Sequence, residues 1–170
     1  MAGASFDAKS MLGEDPMQTL DHLIRSHPFW QGINPRYFHT LNECAAFAKF
    51  GVEQPIFRTG VEAEHFYLIC SGQVALETFV PGKGAITIDT LGPGEALGWS
   101  WLFPPYRWHF SARSVDFTEM ITFSVHGLRK HAEENHDFGY ELTTRVGQVV
   151  LERLQATRLQ LLEFYTTPGE

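Results

Sequence analysis

The stretch best equipped to bind a small molecule runs from residue 97 to residue 110, where tryptophans alternate with a few polar side chains. It reads Leu-Gly-Trp-Ser-Trp-Leu-Phe-Pro-Pro-Tyr-Arg-Trp-His-Phe. Trp99 and Trp108 offer flat apolar surfaces, and the guanidinium of Arg107 can pair with an anion. The pattern predicts an aromatic shelf with a positive charge beside it. Two plainer interpretations stay open: the indoles form part of an ordinary core, and Arg107 is a surface residue.

The eight histidines do not follow a metal-binding pattern. Metal-dependent enzymes of the cupin type use a His-x-His pair, a following Glu and a later His, and the chain has no His-x-His. His126, His131 and His136 are five residues apart, so they do not share one helical face. Catalytic Ser or Cys motifs and a Gly-rich phosphate loop with Lys are missing as well. We therefore predict no metal site, no catalytic site and no enzyme.

The charge balance argues against a chain built to hold nucleic acid. Thirteen Lys and Arg face twenty Asp and Glu, which gives a formal net charge of -7, and binding to phosphates or to an anionic membrane needs a basic surplus. Cys44 and Cys70 give neither a disulfide framework nor a metal spacing, which favours a reducing, cytoplasmic location. No segment reaches the ~20 apolar residues of a membrane span, and the start of the chain lacks the features of a secretory signal.

The middle of the chain, about residues 45–124, has the texture of an antiparallel β-roll. Short runs rich in aromatic and β-branched residues alternate with turn signals such as Ser71-Gly72 and the Pro-Gly-Lys-Gly run at 81–84. This alternation is typical of a sandwich, barrel or jelly roll. The predicted strands are 46–50, 55–58, 65–70, 74–79, 85–90, 110–114 and 119–123.

Helical patterns flank the predicted roll. Residues 1–15 read as a flexible leader, and residues 16–170 as one domain. Residues 16–24 and a segment capped by Asn34 with Pro35 predict two short helices. Ser124 is the predicted cap of a third, and residues 137–165 predict a long fourth helix. Its apolar stripe recurs at steps of three and four and predicts a homodimer. The stripe comprises Val146, Val150, Leu154, Thr157, Leu161 and Phe164, widened by Leu151, Leu159 and Leu162.

Three stretches in this order resemble the cyclic nucleotide-binding family, which includes catabolite-activator-type regulators and the regulatory subunits of cyclic-AMP-dependent kinase. Residues 55–60, Pro-Ile-Phe-Arg-Thr-Gly, look like the family's entry strand. Residues 65–74, His-Phe-Tyr-Leu-Ile-Cys-Ser-Gly-Gln-Val, are similar to its hairpin. Residues 91–98, Leu-Gly-Pro-Gly-Glu-Ala-Leu-Gly, resemble the approach to its phosphate-binding cassette. The resemblance implies a mainly β fold with flanking helices, a double-stranded β-helix or jelly roll followed by a long C-terminal helix.

The cassette departs from the family in its most important positions. The family opens it with a Gly-Glu pair that binds the ribose, and an Arg about nine residues later binds the phosphate. If Gly94-Glu95 is that pair, Arg107 comes too late. We prefer the register in which Gly98 opens the cassette, which replaces the ribose-binding Glu by Trp99 and leaves Arg107 near the family spacing. An indole N–H cannot accept a hydrogen bond from the ribose.

The resemblance extends to the long helix, where Thr157 matches a Thr that contacts the base across the activator dimer. Its neighbour Arg158 departs from the activator's Ser, and a threonine tolerated at a helix interface is an equally open interpretation. The predicted ligand-binding residues are Leu97, Gly98, Trp99, Ser100, Arg107, Trp108 and Thr157.

The sequence thus predicts a stand-alone ligand-sensing or regulatory module. We expect it to bind a cyclic nucleotide weakly or not at all, or to bind another small anionic ligand. The alternative is a protein-interaction domain whose pocket is filled by its own aromatic residues. Only five residues follow Tyr165, so we expect no DNA-binding domain after the helix and no specific DNA binding by this chain. A protein partner, the ligand and the pathway stay unnamed.

Overall fold

Two four-stranded antiparallel sheets form the centre of the protein in a computed structural model that describes residues 16–166. The predicted leader, residues 1–15, lies outside the described residues. One sheet has the strand order β1-β8-β3-β6 and the other β2-β7-β4-β5. The strands are β1 Ala45–Phe50, β2 Pro55–Phe57, β3 His65–Ser71, β4 Val74–Val80, β5 Gly84–Leu91, β6 Ala96–Leu97, β7 Ser111–Ser114 and β8 Thr118–Ser124.

Helices flank the roll at both ends of the described chain. They are α1 Pro16–Ser26, α2 Phe38–Cys44, α3 Val125–Glu134 and α4 His136–Thr166, with 3₁₀ helices at Pro28–Trp30, Pro35–Tyr37 and Ser100–Leu102. The caps follow the sequence: the Asn34 side chain accepts from the N–H of Arg36, and the Ser124 hydroxyl accepts from the N–H of Gly127. The predicted mainly β fold with flanking helices and a long final helix is confirmed.

The seven predicted strands are present, and each of their ends lies within one residue of the prediction. The eighth strand, β6, escaped prediction because it has only two residues and follows a Gly-Pro-Gly turn. It pairs with β3, where Leu97 lies opposite Tyr67. The pairing of β6 with β3 fixes the start of the loop that carries Trp99, Trp101 and Trp108.

The core lies between the sheets and extends under the helices. Phe66 of β3 and Phe123 of β8 are buried, and Trp30 from the first 3₁₀ helix meets Phe123 edge-on with ring centroids 5.6 Å apart. On the helix side, Leu41, Leu128 and other apolar residues complete the same core. Buried apolar contacts of this kind supply most of the stabilisation of a domain this size.

The long helix α4 changes its environment midway. Phe138, Leu142 and Val146 are at most 2% exposed, whereas five leucines in its second half are 46–63% exposed. Those leucines are Leu151, Leu154, Leu159, Leu161 and Leu162. The predicted stripe is therefore buried at Val146 and open at Leu154 and Leu161, while the side chain of Phe164 lies outside what the structure describes.

Two contacts fix the first half of α4 to the segment between α1 and α2. The guanidinium of Arg145 donates to the carbonyls of Phe29 (3.1 Å) and Gln31 (2.9 Å). Nearby, buried His27 accepts from the N–H of Phe29 through Nδ1 and donates from Nε2 to the Ile69 carbonyl at 3.1 Å. The segment between α1 and α2 is thus bonded both to α4, through Arg145, and to β3, through His27.

Candidate functional site

A groove of about 530 Å³ opens between the roll and the second half of α4. Strands β4 and β5 form one wall, Trp99 and Phe110 form the end, and α4 forms the other wall. A volume of this size suits a small-molecule site. The lining residues are Leu76, Ile88, Asp89, Trp99, Phe110, Val150, Arg153, Leu154, Ala156, Thr157 and Gln160.

The end of the groove is aromatic. The half-buried rings of Trp99 and Phe110 meet edge to face, with centroids 5.8 Å apart and planes at 70°. Trp99 follows β6, and Phe110 directly precedes β7, so the two ends of the intervening loop meet here. The arrangement offers a flat apolar surface to a ligand.

One cation, Arg153, lies among the lining residues of the described chain. Its Nη1 is 2.7 Å from Oδ2 of Asp89, and its Nη2 is 3.5 Å from Oε1 of Glu95. The guanidinium lies 5.9 Å from the centroid of Trp99, and the side chain is only 15% exposed. The positive charge in this groove is therefore already paired with two carboxylates.

Glu95 lies beside a different cavity. It lines a space of about 360 Å³ near Pro28, Arg145 and Glu152. One carboxylate oxygen accepts from the N–H of Gly92 at 2.7 Å and so closes the turn before β6. Of the two registers weighed from the sequence, Trp99 is the residue that lines the larger groove.

Two of the seven predicted site residues, Trp99 and Thr157, come together in the groove. The Thr157 hydroxyl donates to the carbonyl of Arg153 within the helix (2.9 Å), so toward a ligand it can only accept. The other five are not among the groove's lining residues. They are Leu97, Gly98, Ser100, Arg107 and Trp108.

Four of those five are buried. Leu97 lies in the core because β6 pairs with β3. The Ser100 hydroxyl is 3.1 Å from Nδ1 of His109. Trp108 stacks on Phe57 with centroids 3.8 Å apart and planes at 11°. The indole of Trp108 is thus part of the core, which agrees with the interpretation that the tryptophans form an ordinary core.

Gly98 and Trp108 depend on each other. Gly98 has a φ of +86°, and a Cβ at this position would lie 2.5 Å from Cζ3 of Trp108. Glycine is required here because its backbone adopts a positive φ and because a side chain would clash with Trp108. Their contact sets the course of the chain just before Trp99.

Arg107 is exposed at the other side of the loop. Its Nη1 donates to the Gly60 carbonyl at 2.8 Å, and its backbone forms a bridge with Glu62. Arg107 therefore lies away from the groove, because residues 106–108 pair with residues 60–63.

Sequence reasoning missed three residues that define the groove: Asp89, Phe110 and Arg153. Phe110 directly precedes the small pair Ser111 and Ala112, and such a pair follows the phosphate-binding Arg in the family pattern. The Ser111-Ala112 pair could therefore have indicated that Phe110 occupies the position of the family's phosphate-binding Arg. Asp89 and Arg153 form an ion pair across 64 residues of sequence, so no local sequence pattern predicts it.

Within residues 16–166 the side chains include no group of three His, Cys, Asp or Glu that could hold a metal ion. No helix of that region is both long and apolar enough to cross a bilayer. Burial raises the pKa of the Cys44 thiol and raises that of Cys70 to about 12, so neither is a thiolate near neutral pH.

Residues 48–135 match the model of the cyclic nucleotide-binding domain. Since this is more than half of the 170 residues, the chain belongs to the cyclic nucleotide-binding domain family. The recognition made from the three sequence stretches is thereby confirmed.

Solved structures of similar fold span most of this chain. A protein from Geobacter metallireducens is 25% identical, with a TM-score of 0.70 over 79% of this chain and 97% of that one. A cyclic nucleotide-binding domain from Methylobacillus flagellatus is 17% identical, with a TM-score of 0.72 over 91% and 85%. The catabolite activator protein of Thermus thermophilus is 24% identical, with a TM-score of 0.62 over 81% and 63%. No curated protein matches this sequence significantly.

Proposed function

We propose that this protein is a ligand-sensing regulatory module, without enzymatic activity, in which the groove beside α4 receives the ligand. Membership of the cyclic nucleotide-binding domain family supports a regulatory role. The single observation that carries the proposal is the 530 Å³ groove that contains both Trp99 and Thr157.

Cyclic nucleotides bind this groove weakly or not at all. A nucleotide needs a ribose acceptor and an unpaired cation for its phosphate. The indole of Trp99 cannot accept a hydrogen bond from the ribose. Among the described lining residues the one cation is Arg153, which is paired with Asp89 and Glu95. Loss of one buried hydrogen bond alone costs ~1–3 kcal/mol, or roughly 10- to 100-fold in affinity.

Isothermal calorimetry with cyclic AMP and cyclic GMP tests this part of the proposal. We expect affinities at least roughly 10-fold weaker than those of family members that keep the Glu. Replacement of Thr78, a half-buried residue of β4 outside the groove lining, by Ser is a suitable control. Tight binding of either nucleotide, abolished by Trp99→Ala but kept in the control, would contradict it.

The protein works as a homodimer through α4. Five leucines on the second half of this helix are 46–63% exposed, and an apolar surface of this kind marks an interaction site. Leu154 belongs both to the exposed set and to the groove lining. A second α4 packed on it would therefore cover the mouth of the groove and link ligand binding to the dimer.

The protein acts in the cytoplasm and does not hold nucleic acid by itself. Cys44 and Cys70 are free and buried, as expected in a reducing compartment. The net charge of -7 leaves no basic surplus for phosphates.

A second candidate function is a protein-interaction domain whose pocket is filled by its own aromatic side chains. The stacking of buried Trp108 on Phe57 favours it, because an indole there occupies space that a ligand would otherwise use. A protein-interaction domain can be distinguished from a ligand sensor by NMR. If the pocket is filled, no small molecule would shift the indole N–H resonance of Trp99.

A further inference from the structure

We infer that the groove selects a planar ligand that is uncharged or positively charged and excludes anions. The inference rests on the ligand-sensing function proposed above and adds the chemical class of the ligand. It is carried by the charges around Arg153 and by the aromatic end of the groove.

The charges around the guanidinium of Arg153, at the edge of the groove, sum to a negative value. Arg153 contributes one positive charge, and Asp89 and Glu95 contribute two negative charges at 2.7 Å and 3.5 Å from its guanidinium. An anion that approached Arg153 would have to displace Asp89 or lie beside it. Since the Arg153 side chain is only 15% exposed, water screens this repulsion less than it does at an open surface.

Both carboxylates are held in place by the backbone. Oδ1 of Asp89 accepts from the N–H of Thr90, and Oε2 of Glu95 accepts from the N–H of Gly92, at 2.8 Å and 2.7 Å. Carboxylates anchored in this way keep their positions around Arg153. Displacement by an incoming anion would break these bonds as well as the ion pairs.

The rest of the groove suits a flat apolar ring system. Trp99 and Phe110 form the end, and Leu76, Ile88 and Val150 belong to the walls. Thr157 and Gln160 add uncharged polar groups on α4. A neutral ring with one donor can stack at the aromatic end and donate to Thr157, and a cationic one gains the nearby carboxylates and the faces of the rings.

Three probes with one ring system and three charges test the inference: 2-naphthol, 2-naphthoate and 2-naphthylmethylammonium at pH 7. Binding is followed by the shift of the Trp99 indole N–H resonance, assigned by Trp99→Phe. We expect naphthol and the ammonium compound to saturate this shift. Naphthoate should bind roughly 5- to 10-fold more weakly, the size typical of partly exposed charges.

The double variant Asp89→Asn with Glu95→Gln tests the cause. The new amides keep an oxygen for the N–H groups of Thr90 and Gly92, while Arg153 loses its counter-charges. We expect naphthoate to gain roughly 5- to 10-fold in affinity and naphthol to change less than about 2-fold. Glu133→Gln, on the exposed face of α3, removes an acidic charge far along the chain from the groove and should change neither.

Each of the following results would overturn a different part of the inference about ligand selection. Naphthoate binding as tightly as naphthol to the native protein overturns the exclusion of anions. A double variant that stays as selective as the native protein overturns the role of Asp89 and Glu95. If none of the probes shifts Trp99, the groove does not select planar ligands. Tight cyclic nucleotide binding in calorimetry would contradict the weak nucleotide binding proposed above, and it is measured independently of the Trp99 shifts.

Discussion

Gly98 and Trp108 determine how the chain enters the groove. The positive φ of Gly98 turns the backbone after β6, and the space above its Cα is filled by the six-membered ring of Trp108. Trp108 is in turn stacked on Phe57 of β2. A change at Gly98 therefore disturbs both the turn and the stack.

We expect Gly98→Ala to lower the free energy of unfolding by about 2–4 kcal/mol, the sum of backbone strain and a steric clash. Gly82→Ala is the matched control, because Gly82 also has a positive φ (+81°) but nothing lies within 4 Å of its added Cβ. It should cost about 1–2 kcal/mol, from strain alone. Urea denaturation measures both. Equal losses would show that Trp108 does not lie against Gly98.

His27 makes the stability depend on pH. Burial lowers the pKa of His27 to about 4, below the ordinary value of about 6.5. The unfolded chain therefore takes up a proton at a pH where the folded protein does not. The stabilisation is complete above about pH 6.5 and declines as the pH falls toward 4, by about 3 kcal/mol in all.

His27→Asn should remove this part of the pH dependence, because Asn can still accept from the N–H of Phe29 but does not titrate. The difference in unfolding free energy between the native protein and the variant should shrink as the pH falls from 7 to 4. His126→Asn, at an exposed position, should follow the native curve. A difference that stays constant over this range would contradict the buried neutral imidazole.

Among the elements, α4 has two different halves. Leu142 is 2% exposed and lies in the core, whereas Leu159 is 63% exposed. The helix is held to the roll by its first half, through apolar burial and the two bonds of Arg145. The second half brings Arg153 and Thr157 to the groove and leaves its leucines open.

Leu142→Ala should therefore cost about 2–4 kcal/mol of stability, and Leu159→Ala less than about 0.5 kcal/mol. The two changes remove the same atoms from the same helix, so each is a control for the other. Denaturation should be measured at low protein concentration, where self-association does not contribute. Similar losses at both positions would refute the division of the helix.

Elements that follow a local rule could be predicted from the sequence. The strands follow turn signals and β-branched runs, and the caps at Asn34 and Ser124 follow helix chemistry. The two-residue strand β6 follows no such rule. At the site, Trp99 and Thr157 could be found through the family pattern, but the ion pair of Arg153 with Asp89 joins distant parts of the chain and only appears on folding.

The whole molecule presents an apolar helix face that its own roll does not cover. Replacement of Leu154 or Leu161 by Asp should convert the proposed dimer to monomers, since a charge would be buried at the helix–helix contact. Thr143→Asp, on the exposed side of the packed half of α4, should leave the dimer intact. Light scattering at micromolar concentration measures this. A native protein that is monomeric under these conditions would disprove the dimer.

The groove beside α4 is proposed to receive the ligand and to lack a site for a cyclic phosphate. A crystal structure determined after soaking in millimolar cyclic AMP tests whether the groove holds a cyclic phosphate. We expect no nucleotide held by Arg107, which stays on the Gly60 carbonyl, and Trp99 to keep its place at the end of the groove. A nucleotide in the groove with its phosphate on Arg153, or one held by Arg107 and Glu95, would contradict this expectation.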